Sequence, residues 1–308
     1  MRSASIDLGT HTCLLLIKED HPSGEKILYD ESTVVRLGQG VDQTGMLQMD
    51  AMKRAQVCLH RYVETTQKFG IPSGKIIAVA TAQARDAKNA AQFFGLVEKD
   101  LGVHFRVLTG VEEAKATFLG AQGFGDDSKN NVVMDIGGGS TELVAMPDGD
   151  QNISGESLNI GAVRMTERYF KSDPVTDEEF WECEDAINQM LEPLKTWRKN
   201  LEKKMNSAPT LIAVAGTAVT LAMMHTAEAG YDPIKINQVV LTQGDAHRLV
   251  EELKWRTIPE RQKMLGMEPK RADVILAGAL IFWRVMEELS FQEAKISTRG
   301  LRYGVFYL

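Results

Sequence analysis

One short pattern occurs twice in this chain, and nothing else in the sequence constrains the fold as much. "SASIDLGTHTCLLLIKE" (3–19) and "NVVMDIGGGSTELVAMP" (131–147) each run from apolar residues into Asp-[Leu/Ile]-Gly, through small polar residues, and back into apolar residues. Asp7 and Asp135 are 128 positions apart. Apolar runs flanking a glycine turn predict a β-hairpin. A hairpin repeated at domain spacing predicts two similar domains, each opening with a hairpin whose turn presents a Gly-rich loop. The 308 residues fit two domains of common size, set at 1–124 and 125–308, with "DDSKNN" (126–131) as the linker between them.

The remaining segments alternate between strand and helix patterns. Strands are expected at 75–81, 104–109 and 210–216, and helices at 82–102, 111–124 and 176–205. The last of these opens on a capping-box pattern, Thr176 with Glu179. "VILAGALIFW" (274–283) is too short to span a bilayer and reads as a buried core helix. The alternation gives an α/β fold in both halves.

Glycine lets backbone N–H groups approach an anion closely, and several in a row form an anion-binding concavity. Gly137, Gly138 and Gly139 would cradle a phosphate, with the Ser140 and Thr141 hydroxyls as further donors. Asp135 and Glu142 repel a phosphate and make sense if Mg²⁺ sits between them and its oxygens. The competing explanation is a flexible turn with solvated acids. Against it stands the recurrence of the theme, with Asp7, Gly9 and Thr10 in the first loop and Gly216 and Thr217 in "AGTAVT" (215–220).

"IDLGT" (6–10), "DIGGGST" (135–141) and "GTAVT" (216–220) resemble, in order and spacing, the phosphate loops of the actin-like ATPase superfamily. More narrowly, "DIGGGSTELV" is similar to the signature of the exopolyphosphatase/guanosine pentaphosphate phosphohydrolase (Ppx/GppA) family. "LGQGVDQTGML" (37–47), "ATAQARDAKNA" (80–90), "TGVEEA" (109–114), "RADVILAGALI" (271–281) and "STRGLRYGV" (297–305) extend that resemblance over nearly the whole chain. It implies two actin-like (ribonuclease H-like) domains with an interdomain active-site cleft, the last residues returning to pack on the first domain.

The resemblance also implies roles. Glu113 matches the water-activating base, with Glu112 as the alternative, and Glu142 joins it in the catalytic set. Asp7, Asp135 and Glu142 are the expected Mg²⁺ ligands. Arg85 matches an arginine that reaches the substrate phosphate, Asn89 a bracing polar group, and Arg271 and Arg299 further phosphate contacts. The first loop departs from the family pattern, with His11 for Asn, Thr12 for Ser, and Leu14 where an Arg or His is usual. The chain ends soon after its second domain, where longer members continue into helical domains that help bind long polyphosphate.

The implied activity is hydrolysis of the terminal phosphoanhydride of inorganic polyphosphate. Guanosine pentaphosphate hydrolysis, or binding of guanosine pentaphosphate or tetraphosphate by a non-catalytic regulator, is the alternative, and a sugar- or acid-type kinase a more distant one. A net charge of −7 argues against non-specific binding to nucleic acid or an anionic membrane. "KTWRKNLEKK" (195–204) could track a polyphosphate chain, although a solvated helix face is the better explanation. Three scattered cysteines without metal-ligand spacing suggest buried thiols in a reduced, cytoplasmic protein. A homodimer is a further expectation.

Overall fold

The computed structural model describes residues 1–22, 24–122, 130–147, 153–205 and 208–308. Positions 126–129 of the expected linker, and the expected border at 124/125, lie outside them. The chain divides into two compact units, Met1–Gly120 with Leu301–Leu308, and Ala121–Gly300.

The first unit is built on strands β1 (Arg2–Leu8), β2 (Thr12–His21), β3 (Gly24–Val34), β4 (Ile77–Ala80) and β5 (Phe105–Val107), in the order β3-β2-β1-β4-β5. β1 pairs antiparallel with β2 and parallel with β4. A strand in that position is covered on both faces and reads as an almost unbroken buried run, as Ala4 to Leu8 does. Helix α1 (Met49–Lys68) turns Ala51, Ala55, Cys58, Leu59, Tyr62, Val63 and Thr66 inward, the stripe that a 3.6-residue period produces.

The single helix expected over 82–102 is two helices, α2 (Ala82–Asp86) and α3 (Ala90–Leu101). Asn89 interrupts it. Its Oδ1 accepts from the Leu47 amide at 2.8 Å and its Nδ2 donates to the Leu47 carbonyl at 3.0 Å. The Lys88 amide meanwhile bonds to the Gly45 carbonyl. These bonds offer the backbone an alternative to the helix, as short polar side chains commonly do, and they fulfil the bracing role expected of Asn89. Helix α4 (Gly110–Ala121) follows β5.

The second unit repeats the plan. Its strands are β6 (Asn131–Ile136), β7 (Thr141–Ala145), β8 (Ser154–Leu158), β9 (Thr210–Val214), β10 (Val240–Thr242) and β11 (Glu293–Ile296), in the order β10-β11-β9-β6-β7-β8. Read from β8, it has the sequence of the first sheet: two antiparallel pairings, then two parallel ones, with β10 added at the edge. The repeated hairpin is therefore the opening of a repeated five-strand topology.

Its longer helices are α5 (Ala162–Tyr169), α6 (Asp177–Met205), α7 (Ala215–Thr226), α8 (Gln243–Lys254) and α9 (Ile275–Glu288). The capping box before α6 is present: the Glu179 amide donates to Thr176 Oγ1 and the Thr176 amide to Glu179 Oε2. Eight consecutive residues of α9, Ile275 to Phe282, are buried, as the apolar run required. Two cations of the basic stretch of α6 are engaged within the unit, while Lys199, Lys203 and Lys204 are exposed. Lys195 is held by Glu192 and Glu288, each at 2.6 Å. Arg198 is buried over the Phe291 ring and paired with Glu202. All three cysteines are buried thiols, and among the described residues no helix is long and apolar enough to cross a membrane.

The last eight residues return to the first unit. Helix α10 (Leu301–Gly304) packs against β1, with Ser5 Oγ donating to the Arg302 carbonyl at 2.6 Å. The Arg302 guanidinium grips both oxygens of Asp30 at 2.9 Å, and the Tyr303 hydroxyl donates to the same carboxylate. Gly304 allows the closest approach, because a Cβ there would lie 1.6 Å from the Ala116 carbonyl oxygen of α4.

Candidate active site

The two repeated loops share one turn. The Gly137 amide donates to the Ser140 carbonyl at 3.0 Å, and the Gly9 amide to the Thr12 carbonyl at 2.8 Å. In the second loop every glycine carbonyl is covered from behind. The Ala162 amide bonds to Gly137, the Val163 and Arg164 amides to Gly138, and Arg164 Nε to Gly139 at 2.7 Å. A trans peptide points its N–H opposite to its C=O. The amides of Gly138, Gly139 and Ser140 are therefore turned away from α5, in one direction. Successive amides facing one way make an anion cradle.

Gly161 makes this arrangement possible. A Cβ at that position would lie 2.5 Å from the Gly138 carbonyl carbon and oxygen and 2.6 Å from Gly139. Ser140 is buried within the loop. Thr141 differs from expectation, because its hydroxyl donates to the Ile160 carbonyl at 2.7 Å. A hydroxyl has one proton, so the Thr141 side chain secures the fold rather than donating to a phosphate.

Asp135 and Glu142 stand directly opposite each other in the β6–β7 ladder. Opposed residues of an antiparallel pair share a face, with Cβ atoms about 5 Å apart. Glu142 is buried and accepts from Ser157 Oγ at 2.6 Å. In the first unit the register places Asp7, also buried, opposite Leu14, so an apolar residue stands where the second unit has its glutamate. Two opposed carboxylates are a hard oxygen donor set that suits Mg²⁺, which keeps several waters and takes one or two carboxylates. Among the described residues no group of three or more His, Cys, Asp or Glu side chains gathers into a metal site.

The third glycine segment is the start of a helix rather than a turn. β9 runs directly into α7, and Ala215 makes the join at a left-handed φ of 66°. Gly216 seats Arg271, since a Cβ on it would lie 2.1–2.4 Å from that guanidinium. Arg271 Nε donates to Glu268 at 2.8 Å. Gly216 and Arg271, expected separately, are thus one arrangement. The Thr217 hydroxyl donates to the Ile136 carbonyl at 3.2 Å and ties α7 to β6, so it too is occupied within the fold.

In the first unit, the Gly38 amide covers the Thr10 carbonyl, and the Val35 and Arg36 amides cover that of His11. The Thr10 hydroxyl donates to Gln83 Oε1 at 3.1 Å.

The adjacent glutamates of "VEE" separate clearly. Glu112 closes a capping box with Thr109, whose amide and hydroxyl both lie 2.9 Å from its Oε2, and it also pairs with Arg106. Those donors hold its carboxyl below the usual glutamate range. Glu113 points inward and is buried. Burial raises its pKa, while Arg85 and the Thr81 hydroxyl pull it back in part. Arg85 Nη1 lies 2.7 Å from Glu113 Oε2 and donates to the Leu108 carbonyl at 2.8 Å. A buried carboxylate of raised pKa beside a guanidinium has the properties of a general base, and Glu112, spent on a helix cap, does not.

The family model described as the Ppx/GppA phosphatase family matches residues 16–308. The chain belongs to that family. As a Ppx/GppA protein it is a hydrolase, and its two α/β units are the actin-like domains of the family. Exopolyphosphatase 2 of Mycobacterium tuberculosis is 35% identical over 302 residues, 94% of this chain and 91% of that one. The bifunctional 3-dehydroquinate synthase/phosphatase of Fusobacterium nucleatum is 33% identical over 296 residues, which is 92% of this chain. The chain spans 43% of that longer relative. The crystal structure of the type II variant of the Aquifex aeolicus Ppx/GppA phosphatase superposes with a TM-score of 0.75 at 32% identity, over 99% of this chain and 98% of that one.

Sequence reasoning missed Gln83, Gly161 and Arg164. Gly161 carried a usable signal, a glycine just before the amphipathic "AVRMTERY". Gln83 and Arg164 carried none, because their partners lie far away in sequence.

Proposed function

We propose that this protein is an exopolyphosphatase that removes the terminal phosphate of inorganic polyphosphate with a water activated by Glu113. The observation that carries this reading is the orientation of the glycine loop, whose three carbonyls are all turned onto α5 and Arg164. Such a loop suits a phosphate group. The 35% identity to a protein named Exopolyphosphatase 2 supports the choice of substrate.

In this mechanism the amides of Gly138, Gly139 and Ser140 hold phosphate oxygens. Glu113 takes a proton from water as the water oxygen bonds to the terminal phosphorus and the bridging P–O bond breaks. Arg85 keeps Glu113 ionised and oriented, and its other N–H groups are the contacts for the departing phosphate. Arg271, seated on Gly216, is a further phosphate contact. Mg²⁺, when bound, would neutralise phosphate oxygens, with Asp135 and Glu142 as its carboxylates and Asp7 as the first unit's candidate ligand.

Hydrolysis of guanosine pentaphosphate is the second reading, left open by Leu14 opposite Asp7, an apolar residue where the family usually has a cation. Phosphate release from medium-chain polyphosphate, guanosine pentaphosphate and ATP in parallel, with Glu113→Gln as control, separates the two. Release from polyphosphate that vanishes in the variant upholds the proposal, release from guanosine pentaphosphate alone replaces it, and no release from any substrate rejects hydrolysis.

A further inference from the structure

Gln83 is 2% exposed and spans the first loop. Its Nε2 donates to the Leu8 carbonyl at 2.5 Å, and its Oε1 accepts from Thr10 Oγ1 at 3.1 Å. These contacts lie on either side of Gly9. A backbone carbonyl only accepts, so the amide nitrogen must face Leu8 and the amide oxygen must face Thr10. The one hydroxyl proton of Thr10 is then committed to Gln83. What Thr10 offers in any other direction is lone pairs.

The brace is closed from the side. A Cβ at Gly38 would lie 2.3 Å from Thr10 Cγ2 and 3.2 Å from Gln83 Cβ, so backbone fills the space into which either side chain would rotate. Gln83 is also two positions before Arg85 on the short helix α2, and Arg85 bonds to Glu113. A continuous chain of bonds thus runs from Leu8 and Thr10 through Gln83 and α2 to Arg85 and Glu113, all within the first unit.

We propose that Gln83 is a positioning residue that fixes the first loop, sets Thr10 as a hydrogen-bond acceptor, and ties that loop to the helix carrying Arg85. This rests on the reading of the first loop and the Arg85–Glu113 pair as parts of the hydrolytic site. Thr10 then meets water or another donor through its oxygen, and phosphate oxygens at this loop are held by backbone amides.

The test compares wild type, Gln83→Leu, Gln83→Glu, Thr10→Val and the Leu/Val double variant. Amide hydrogen exchange is followed over residues 6–14, with residues 135–142 of the same molecule as reference, and kcat and KM are measured on medium-chain polyphosphate. Gln83→Leu speeds exchange in the first loop about tenfold, the size of a buried hydrogen bond, and leaves the reference loop unchanged. Gln83→Glu behaves like Gln83→Leu at pH 8, where a carboxylate cannot donate to Leu8. It returns toward wild type near pH 5, where the protonated carboxyl can; a role in filling volume alone would show no such dependence. The double variant loses no more kcat/KM than Gln83→Leu alone. Unchanged exchange in Gln83→Leu, or losses that multiply in the double variant, would overturn the proposal. If wild type releases no phosphate, the hydrolytic reading falls, and the exchange comparison by itself upholds or overturns the brace.

Discussion

Asp135 and Glu142 face each other across two strands, joined by the glycine loop. Like charges directly opposed in a ladder destabilise it. The Mg²⁺ proposed to bind between them would offset that cost.

Replacing one of these acids should relieve that cost. Asp135→Asn is expected to raise stability in chelator by up to about 1 kcal/mol. Wild type should gain thermal stability on adding millimolar Mg²⁺, as any ligand specific to the native state requires, and Asp135→Asn should gain little. Equal Mg²⁺ responses in thermal denaturation would remove Asp135 from the metal set.

Glu113 should govern the acid side of the rate profile. Its folded pKa lies above the ordinary glutamate value, and a base must be ionised to act, so kcat/KM should rise with pH through that raised value. In the same window the native state holds more protons than the unfolded chain, so stability should fall as pH rises. Glu113→Gln should abolish turnover and remove that slope. Replacing Arg85 with Gln should move the Glu113 titration, followed by carboxyl NMR, further up. A downward move would mean that Arg85 is not the group holding Glu113 ionised.

Gly161→Ala should damage both activity and stability. The added methyl would press on the backbone of Gly138 and Gly139, and misplacing the cradle by about 1 Å costs on the order of 10²-fold in rate. The melting point should fall, by the roughly 1–3 kcal/mol of an overpacked site, while far-ultraviolet circular dichroism keeps its shape. A variant with normal kcat would show that the loop can yield without consequence.

Arg302→Ala should destabilise the first unit by about 3 kcal/mol, because it leaves the Asp30 carboxylate without its bidentate partner in a largely enclosed site. Denaturant unfolding followed in the first unit should report the loss. Replacing both residues together, as Asp30→Asn with Arg302→Met, should recover much of it.

The two hairpins were readable because their signal is local. In each hairpin the aspartate, its glycines and the flanking apolar runs lie within 17 positions. The capping box at Thr176 and the buried run of α9 were readable for the same reason. What was hidden depended on distant partners. Asn89 breaks a helix by bonding to Leu47, Arg271 lies on Gly216, and the hydroxyls of Thr10, Thr141 and Thr217 are spent on Gln83, Ile160 and Ile136. A threonine beside a glycine looks like a phosphate donor in sequence, and only the fold shows where its proton goes. Glu112 and Glu113 likewise differ only in which side of a helix each one occupies.

The return of residues 301–308 to the first unit has a consequence for biosynthesis. On the ribosome residues 1–120 emerge before the second unit, yet the helix that covers Ala116, bonds to Ser5 and neutralises Asp30 is translated after it. The second unit has all of its residues once position 300 is made. The unit whose residues are synthesised first is therefore completed only after the other, and until then its β1 and α4 lack the helix that covers them.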